Sequence, residues 1–493
     1  MESIFKPAFI LMSGRALGFV ASFAIPVILA RVFDQSEFGT YKQLFLIYST
    51  LYCIAQLGMA EGLFYFLPSA QQLGGRYAHN AMLVLAGAGA ACLAFLWLAR
   101  SSISGWLSNG QLAEYLPLIG VYLLAMLISA VLEIVMTARK HHLSASVVYA
   151  GSDLLRTSLM LLPVLWSGRL DWLLYGAIIF SLLRLGVTLI YLAREFGGVA
   201  APNMQLARTQ LAYAAPFSIY VLIEVLQINL HMYAVSYYFD AATFAIYAVG
   251  CLSIPLVDFL MSSACNVMMV RMREYLLAGV GGAVLAIWRD TTRKLMLLFA
   301  PLVGCLLVVA HELIVVLFTD NYVGSVPVFM VWVLTIFFVT FLTDGVLRVY
   351  AQIKFLMLLG FLKLAILAAV IPWFLQEFGL LGAVLATLLT TVAAKALALR
   401  RIKSEMNCKL KDLLPWRNLT EITGAAAVSA LLTLAVKSAL TLGELPVLLV
   451  TPLIYLTFYM ALLWSYNLLN IEEKLTLTQW LLRLVRLGEK LKA

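Results

Sequence analysis

The stretch FDQSEFGTY, residues 33–41, returns as FDAATFAIY at residues 239–247, a displacement of 206 positions (239 − 33). Both copies read F-D-x3-F-x2-Y. Four fixed positions in nine count only if their surroundings also match, so the chain around each copy decides the fold.

Those surroundings are apolar. Of 493 residues, 63% are hydrophobic and 12% charged, whereas a soluble chain carries about 25% charged residues. Too few polar side chains are present to cover a water-facing surface, so the sequence predicts a membrane protein. A net charge of +9 raises nucleic acid as a partner, but no soluble module with a basic readout element is visible, so none is expected. The cysteines at 53, 92, 251, 265, 305 and 408 form no CxxC and no His/Cys cluster, which argues against a disulfide framework or zinc. His141 and His142 are neighbours in a polar loop without a second ligand pair, and no metal is expected. Arg15 interrupts the first apolar run and no small-x-small site follows, so residues 7–32 are expected to stay as a first span. No GxxxxGK[ST] motif appears.

A helix needs about 20 mostly apolar residues to cross the hydrocarbon core. Fourteen such runs lie near 7–32, 42–67, 80–99, 115–137, 144–166, 172–193, 213–238, 243–269, 294–318, 327–349, 354–375, 378–399, 418–440 and 445–466. The alternating segments of a β-barrel are not seen. With the N-terminus inside, cytoplasmic segments hold 24 Lys and Arg and the opposite side 4, a positive-inside bias that makes both termini cytoplasmic.

Each copy of the echo then falls in the outer connection between two spans, first and second or seventh and eighth. This is the arrangement of a duplicated six-span unit: lobes at 1–200 and 201–405, with a helix pair and basic amphipathic tail at 406–493. Repeats of like orientation recur in transporters, with the substrate site between halves. The alternative is that each F-D…Y marks an interfacial turn whose rings seek the headgroups. Gly197, Gly198 and Pro202 offer a flexible join between lobes, and the basic stretch 271–293 and the tail are expected along the cytoplasmic headgroups.

Ionisable residues inside spans are the candidate functional groups. The cations are Arg15, Arg156, Arg184, Lys363, Lys395 and Lys437; the acids include Glu61, Glu133, Asp153, Glu224, Asp258 and Asp344. Six cations facing lipid would cost roughly 15 to 20 kcal/mol, so they face protein or water. Tyr220, Glu224, Gln227 and His231 follow steps of 4, 3 and 4 along one helical stripe. Tyr122, Ser129 and Glu133 share a face, as do Ser181, Arg184, Thr188 and Tyr191, and as do Thr387, Thr391 and Lys395. Wet faces on several spans point to a central polar cavity. Asp153 and Arg156, three apart, can instead neutralise each other, and Lys437 is expected to snorkel. Glu61 and Arg348 lie near span ends and read as boundary residues. Arg15, Arg184, Lys363 and Lys395 have no acid three or four residues away, which favours exposure to a cavity over pairing between helices.

A cationic cavity walled by low-dielectric helices attracts an anion such as phosphate or diphosphate. Arg15, Arg156, Arg184, Lys363 and Lys395 would hold it, with Tyr220 and Gln227 beside them. Glu224, His231, Asp258, Asp344 and Glu133 are candidates to couple a proton or sodium gradient to movement, with no cofactor needed.

The opening SGRALGFVASFAIPVILARVFDQSEFGTYKQL, residues 13–44, with its small-residue-rich first span, A-R and F-G-x-Y, resembles polysaccharide flippases of the multidrug/oligosaccharidyl-lipid/polysaccharide (MOP) exporter superfamily. The likeness extends to fourteen spans, two six-span lobes and the terminal pair. It implies a multi-pass transporter of the bacterial inner membrane that turns undecaprenyl-diphosphate-linked oligosaccharide outward by ion-driven alternating access. A polysaccharide polymerase and a chain-length regulator would be its partners, besides the lipids around it. Arg15 matches the first-span cation of the family, and Arg184, Lys363 and Lys395 its basic lumen. Relatives often carry aspartate near Asn229, where Glu224 and His231 are the substitutes here. The lipid II flippase branch has a denser arginine cluster in the first two spans and fits less well. A MATE-like drug exporter shares the fold but would prefer acids in its first lobe. A membrane glycosyltransferase or polymerase would need a larger outer loop and a D-x-D, both missing from this sequence.

Overall fold

In the computed structural model, residues 18, 21–69, 73–198, 201–439, 442–470 and 473–474 are described. The apolar runs are helices. In chain order they are α1 (Ala21–Val32), α2 (Gln35–Ala55), α3 (Met59–Ser69), α4 (Gly74–Leu98), α5 (Arg100–Trp106), α6 (Leu112–Ser129), α7 (Leu132–Ala138), α8 (His142–Ser167), α9 (Leu170–Phe196), α10 (Met204–Tyr238), α11 (Ala241–Gly250) and α12 (Pro255–Leu277). There follow α13 (Gly281–Val308), α14 (Ala310–Phe318), a 3-10 turn (Asp320–Ser325), α15 (Val326–Val339), α16 (Thr343–Val349), α17 (Ile353–Phe378), α18 (Leu380–Met406), α19 (Leu410–Leu413), α20 (Trp416–Lys437) and α21 (Glu444–Ser465).

Among the described residues twelve helical stretches are long and apolar enough to cross a membrane. Of the other two expected spans, the first is described as a helix over Ala21–Val32, residues 7–17, 19 and 20 lying outside the described residues, and that at 243–269 divides into α11 and α12. The basic stretch 271–293, expected along the headgroups, is mostly the end of α12 and the start of α13.

Two compact units form. One comprises Met1–Leu252, Leu317–Val328 and Met357–Thr390; the other comprises Ser253–Val316, Phe329–Leu356 and Thr391–Ala493. This division follows packing and does not address the repeat boundary near residue 200.

The echo has a structural explanation within the first unit. Asp34 caps α2 by accepting from the Glu37 N–H, and Asp240 caps α11 by accepting from the Thr243 N–H, at 2.8 and 3.0 Å. Their backbones match, with φ/ψ of −69/172° and −69/170°. Each cap satisfies a helix N–H that has no partner within its own helix. Four positions on, Phe38 and Phe244 are buried, as are Tyr41 and Tyr247. These rings pack into protein. The two copies also meet: a Cβ on Gly39 would fall 1.8 Å from the Ala241 carbonyl oxygen. Only glycine permits that approach of α2 to the start of α11. Between α8 and α9 the same device operates at Gly176, whose Cβ would fall 1.9 Å from the Leu159 carbonyl oxygen.

The second unit docks the C-terminal helices on α13. Tyr459 donates to the Leu297 carbonyl at 3.2 Å and Tyr455 to the Ala426 carbonyl at 3.1 Å. Lys437, expected to snorkel, instead donates to Glu312 and to the Val308 carbonyl, both at 2.7 Å. A buried acid and an uncapped helix end one turn away hold the ammonium inside the protein.

Candidate functional site

Five spans are interrupted part-way, and each second segment carries an acid in its first turn: Glu61 in α3, Glu133 in α7, Asp258 in α12, Glu312 in α14 and Asp344 in α16. The interruptions sit at Leu57 and Gly58, at Ala130 and Val131, at 251–254, at Val309 and at Leu342, with left-handed backbone at Leu57, Gly58 and Leu342. A break frees backbone N–H groups, and a carboxylate in the following turn offsets their partial positive charge. Interrupted spans are also where transporters place irregular backbone around a polar site.

Three of these acids pair with cations on another span, Glu312 with Lys437 as described above. In the first unit Arg184 of α9 donates through Nη2 to Glu133 Oε2 at 2.6 Å, through Nη1 to Ser152 Oγ at 3.0 Å and through Nε to Ser129 Oγ at 3.2 Å. The side chains of Arg184 and Glu133 are 12% and 4% exposed. An apolar cleft of about 270 Å3, lined by Leu132, Val148, Ser152, Phe180, Leu183 and Arg184 among others, opens beside the pair. Glu133 Oε1 is buried with no hydrogen-bond partner.

In the second unit Lys395 of α18 donates to Thr343 Oγ1 at 2.9 Å and lies 3.4 Å from Asp344 Oδ1, to which the Thr343 hydroxyl donates at 3.1 Å. Here the lysine side chain is 16% and the aspartate 55% exposed. Arg348, one turn beyond Asp344, is exposed and acts electrostatically on Asp344 together with Lys395. Arg184 and Lys395, expected to face a cavity in preference to pairing, both have partners on another helix, which same-helix spacing cannot reveal, and Arg184 also lines the cleft.

The remaining candidates lie as follows. Arg15 lies outside the described residues. Arg156 of α8 bridges Asp153 at 2.9 Å, one of the two alternatives left open, and donates to Ser22 Oγ at 2.6 Å. His231 of α10 is buried, its Nδ1 2.6 Å from the hydroxyl of Tyr247, the last residue of the echo. Lys363, half-buried on α17, acts electrostatically on His231. A Cβ on Gly360 would fall 2.8 Å from Gln227 Nε2, so Gln227 abuts α17. Tyr220 is half-buried and Glu224 exposed on α10, and Asp258 is exposed on α12. Asn229 donates to Thr50 Oγ1 at 2.8 Å. Sequence reasoning missed Ser152, Thr343 and Tyr247 as partners, and took Arg348 for a boundary residue. No cluster of three or more His, Cys, Asp or Glu suited to a metal occurs among the described residues.

No sequence-family model matches the chain, and no curated protein matches it. Solved structures do. The lipid II flippase MurJ in an inward closed conformation aligns at a TM-score of 0.69 and 12% identity, covering 94% of this chain and 99% of that one. An inward-facing multidrug resistance MATE transporter of the MOP superfamily aligns at 0.55 and 13%, covering 81% and 99%. A MOP superfamily transporter from Pyrococcus furiosus aligns at 0.54 and 12%, covering 82% and 95%. At such identities the likeness is one of fold. These structures are transporters and not enzymes.

Proposed function

We propose that this chain, an all-α polytopic membrane protein with the MOP transporter fold, moves undecaprenyl-diphosphate-linked oligosaccharide from the inner to the outer leaflet of a bacterial cytoplasmic membrane. The observation that carries this reading is the set of cations held inside spans: Arg156, Arg184, Lys363 and Lys395. Fixed positive charge in a low-dielectric wall is of use to an anionic cargo, and a diphosphate is the most concentrated anion on a lipid-linked sugar. In this reading fourteen spans run with both termini cytoplasmic, and lobes at 1–200 and 201–405 alternate in access. Arg15, Tyr220 and Gln227 join Arg156, Lys363 and Lys395 in contacting cargo. A proton or sodium gradient drives the cycle through Glu224, His231 and Asp258, with Glu133 and Asp344 as counter-ions of Arg184 and Lys395. A polysaccharide polymerase and chain-length regulator would receive the product.

The test is a flux assay in sealed vesicles loaded with lipid-linked oligosaccharide. Lys395→Ala is expected to lower the flipping rate at least about tenfold, the scale of one lost charged hydrogen bond. No flux from the wild-type protein, with or without an imposed ion gradient, overturns the reading. The exposed acids Glu61, Glu224 and Asp258 favour a second one, export of cationic drugs. Gradient-driven efflux of a cationic dye, abolished by Asp258→Asn, would establish it.

A further inference from the structure

The Glu133–Arg184 and Asp344–Lys395 pairs share one sequence pattern. Each cation follows its acid by 51 residues, and the copies are displaced equally (344 − 133 and 395 − 184, both 211). Each acid is the second residue of the segment after a break, Glu133 in α7 and Asp344 in α16. Each cation sits mid-way along an unbroken helix, α9 or α18. Chance places two such pairs with difficulty; duplication places them at once, at nearly the displacement of the F-D-x3-F-x2-Y echo.

The copies have diverged. Arg184 spends its guanidinium on Glu133, Ser129 and Ser152 in a dry setting. Lys395 bonds Thr343 well, while its contact with Asp344 is long and Asp344 is more than half exposed. The surroundings differ in charge as well. Arg348 shares the exposed face of α16 with Asp344, so two cations bracket one carboxylate. An exposed carboxylate on a stretched contact is more easily displaced by an anion of higher charge than a buried one held at 2.6 Å.

Resting on the reading above, we infer that Lys395, Thr343 and Arg348 form an exchangeable oxyanion site of the phosphate class. Asp344 occupies that site as a built-in stand-in anion when no ligand is bound, and Glu133–Arg184 is the copy closed into a clamp. An incoming diphosphate takes the ammonium and hydroxyl from Asp344, and the freed carboxylate turns to water. On release Asp344 returns, so the lysine is never left uncompensated. The stand-in also weakens binding, which suits a carrier that has to let its cargo go.

Equilibrium binding of radiolabelled inorganic pyrophosphate to the full-length protein in zwitterionic nanodiscs tests this at constant ionic strength. Asp344→Asn is expected to tighten binding and Lys395→Ala to weaken it, each about tenfold, with Lys395→Arg restoring it. Arg417→Gln, on the exposed face of α20, serves as a control for loss of any cation and leaves binding unchanged. Undecaprenyl diphosphate added to the discs separates the sources: competition assigns the site to a lipid headgroup, and binding without competition assigns it to free diphosphate. Asp344→Asn binding no tighter than wild type, or Lys395→Ala binding as well as wild type, overturns the inference. Flux without Lys395-dependent binding removes this site and leaves the transport reading. Binding through Lys395 without flux does the opposite.

Discussion

At the scale of the residue, the Glu133–Arg184 pair sets a firm expectation about stability. Removing one partner leaves an uncompensated buried charge, roughly 3–5 kcal/mol, whereas removing both leaves none. Glu133→Ala should therefore lower the melting temperature in detergent sharply, and Glu133→Ala with Arg184→Ala should recover much of the loss. A double variant as unstable as the sum of the two singles would mean that the pair carries no coupling. Glu133 and Ser129 were legible as neighbours on one helical face, and Arg184 as a cation that lipid could not accept. Their meeting was not, because it depends on how α6, α7 and α9 pack, and periodicity describes one helix at a time. One signal was present and unused: the repeated 51-residue spacing from acid to base.

At the scale of the element, caps and interruptions separate what sequence shows from what it hides. Asp34 and Asp240 start α2 and α11 with the same backbone geometry, so Asp34→Ala and Asp240→Ala should each cost about 1 kcal/mol. The pH dependence has a definite sign at Asp240. Hydrogen bonds from the Thr243 hydroxyl and then the Thr243 N–H hold its carboxyl below the ordinary aspartate range. Its folded pKa lies beneath its unfolded one, so the cap's stabilisation is present above the ordinary aspartate range and lost as pH falls through the depressed value. The melting-temperature gap between wild type and Asp240→Asn should be full at neutral pH and narrow in acid. A gap that widens in acid would contradict the cap. The F-D repeat showed these helix starts directly. The broken spans were not legible in the same way, because most of their breaks lack the proline that usually marks one. Pro255 opens α12, yet Leu342 takes the left-handed turn before α16 between Phe341 and Thr343, with neither proline nor glycine at the break. Hydropathy counts such a stretch as one uninterrupted span.

At the scale of the whole chain, the C-terminal helices matter because they are tied back to α13 by charge. Arg293, buried on α13, holds both carboxylate oxygens of Glu473 at 2.7 and 2.9 Å and donates to the Leu468 carbonyl at 2.8 Å. One guanidinium thus fixes both the end of the chain leaving α21 and the first turn after it, a bidentate geometry that lysine cannot reproduce. The sequence leads one to expect a basic, amphipathic tail at the headgroups, most of it outside the described residues, but gives no sign that an acid within it would be anchored on a span 180 residues earlier. The Arg293 hydrogen bonds hold the Glu473 carboxyl below the ordinary glutamate range. The tie is therefore present above that range and lost as pH falls through the depressed value. Arg293→Lys should leave α13 helical while amides 466–470 exchange hydrogen faster, and Glu473→Gln should do the same at neutral pH but differ less from wild type in acid. If exchange at 466–470 is unchanged in both variants, packing by Tyr455, Tyr459 and Lys437 suffices to dock the pair, and the Arg293 anchor contributes nothing to it.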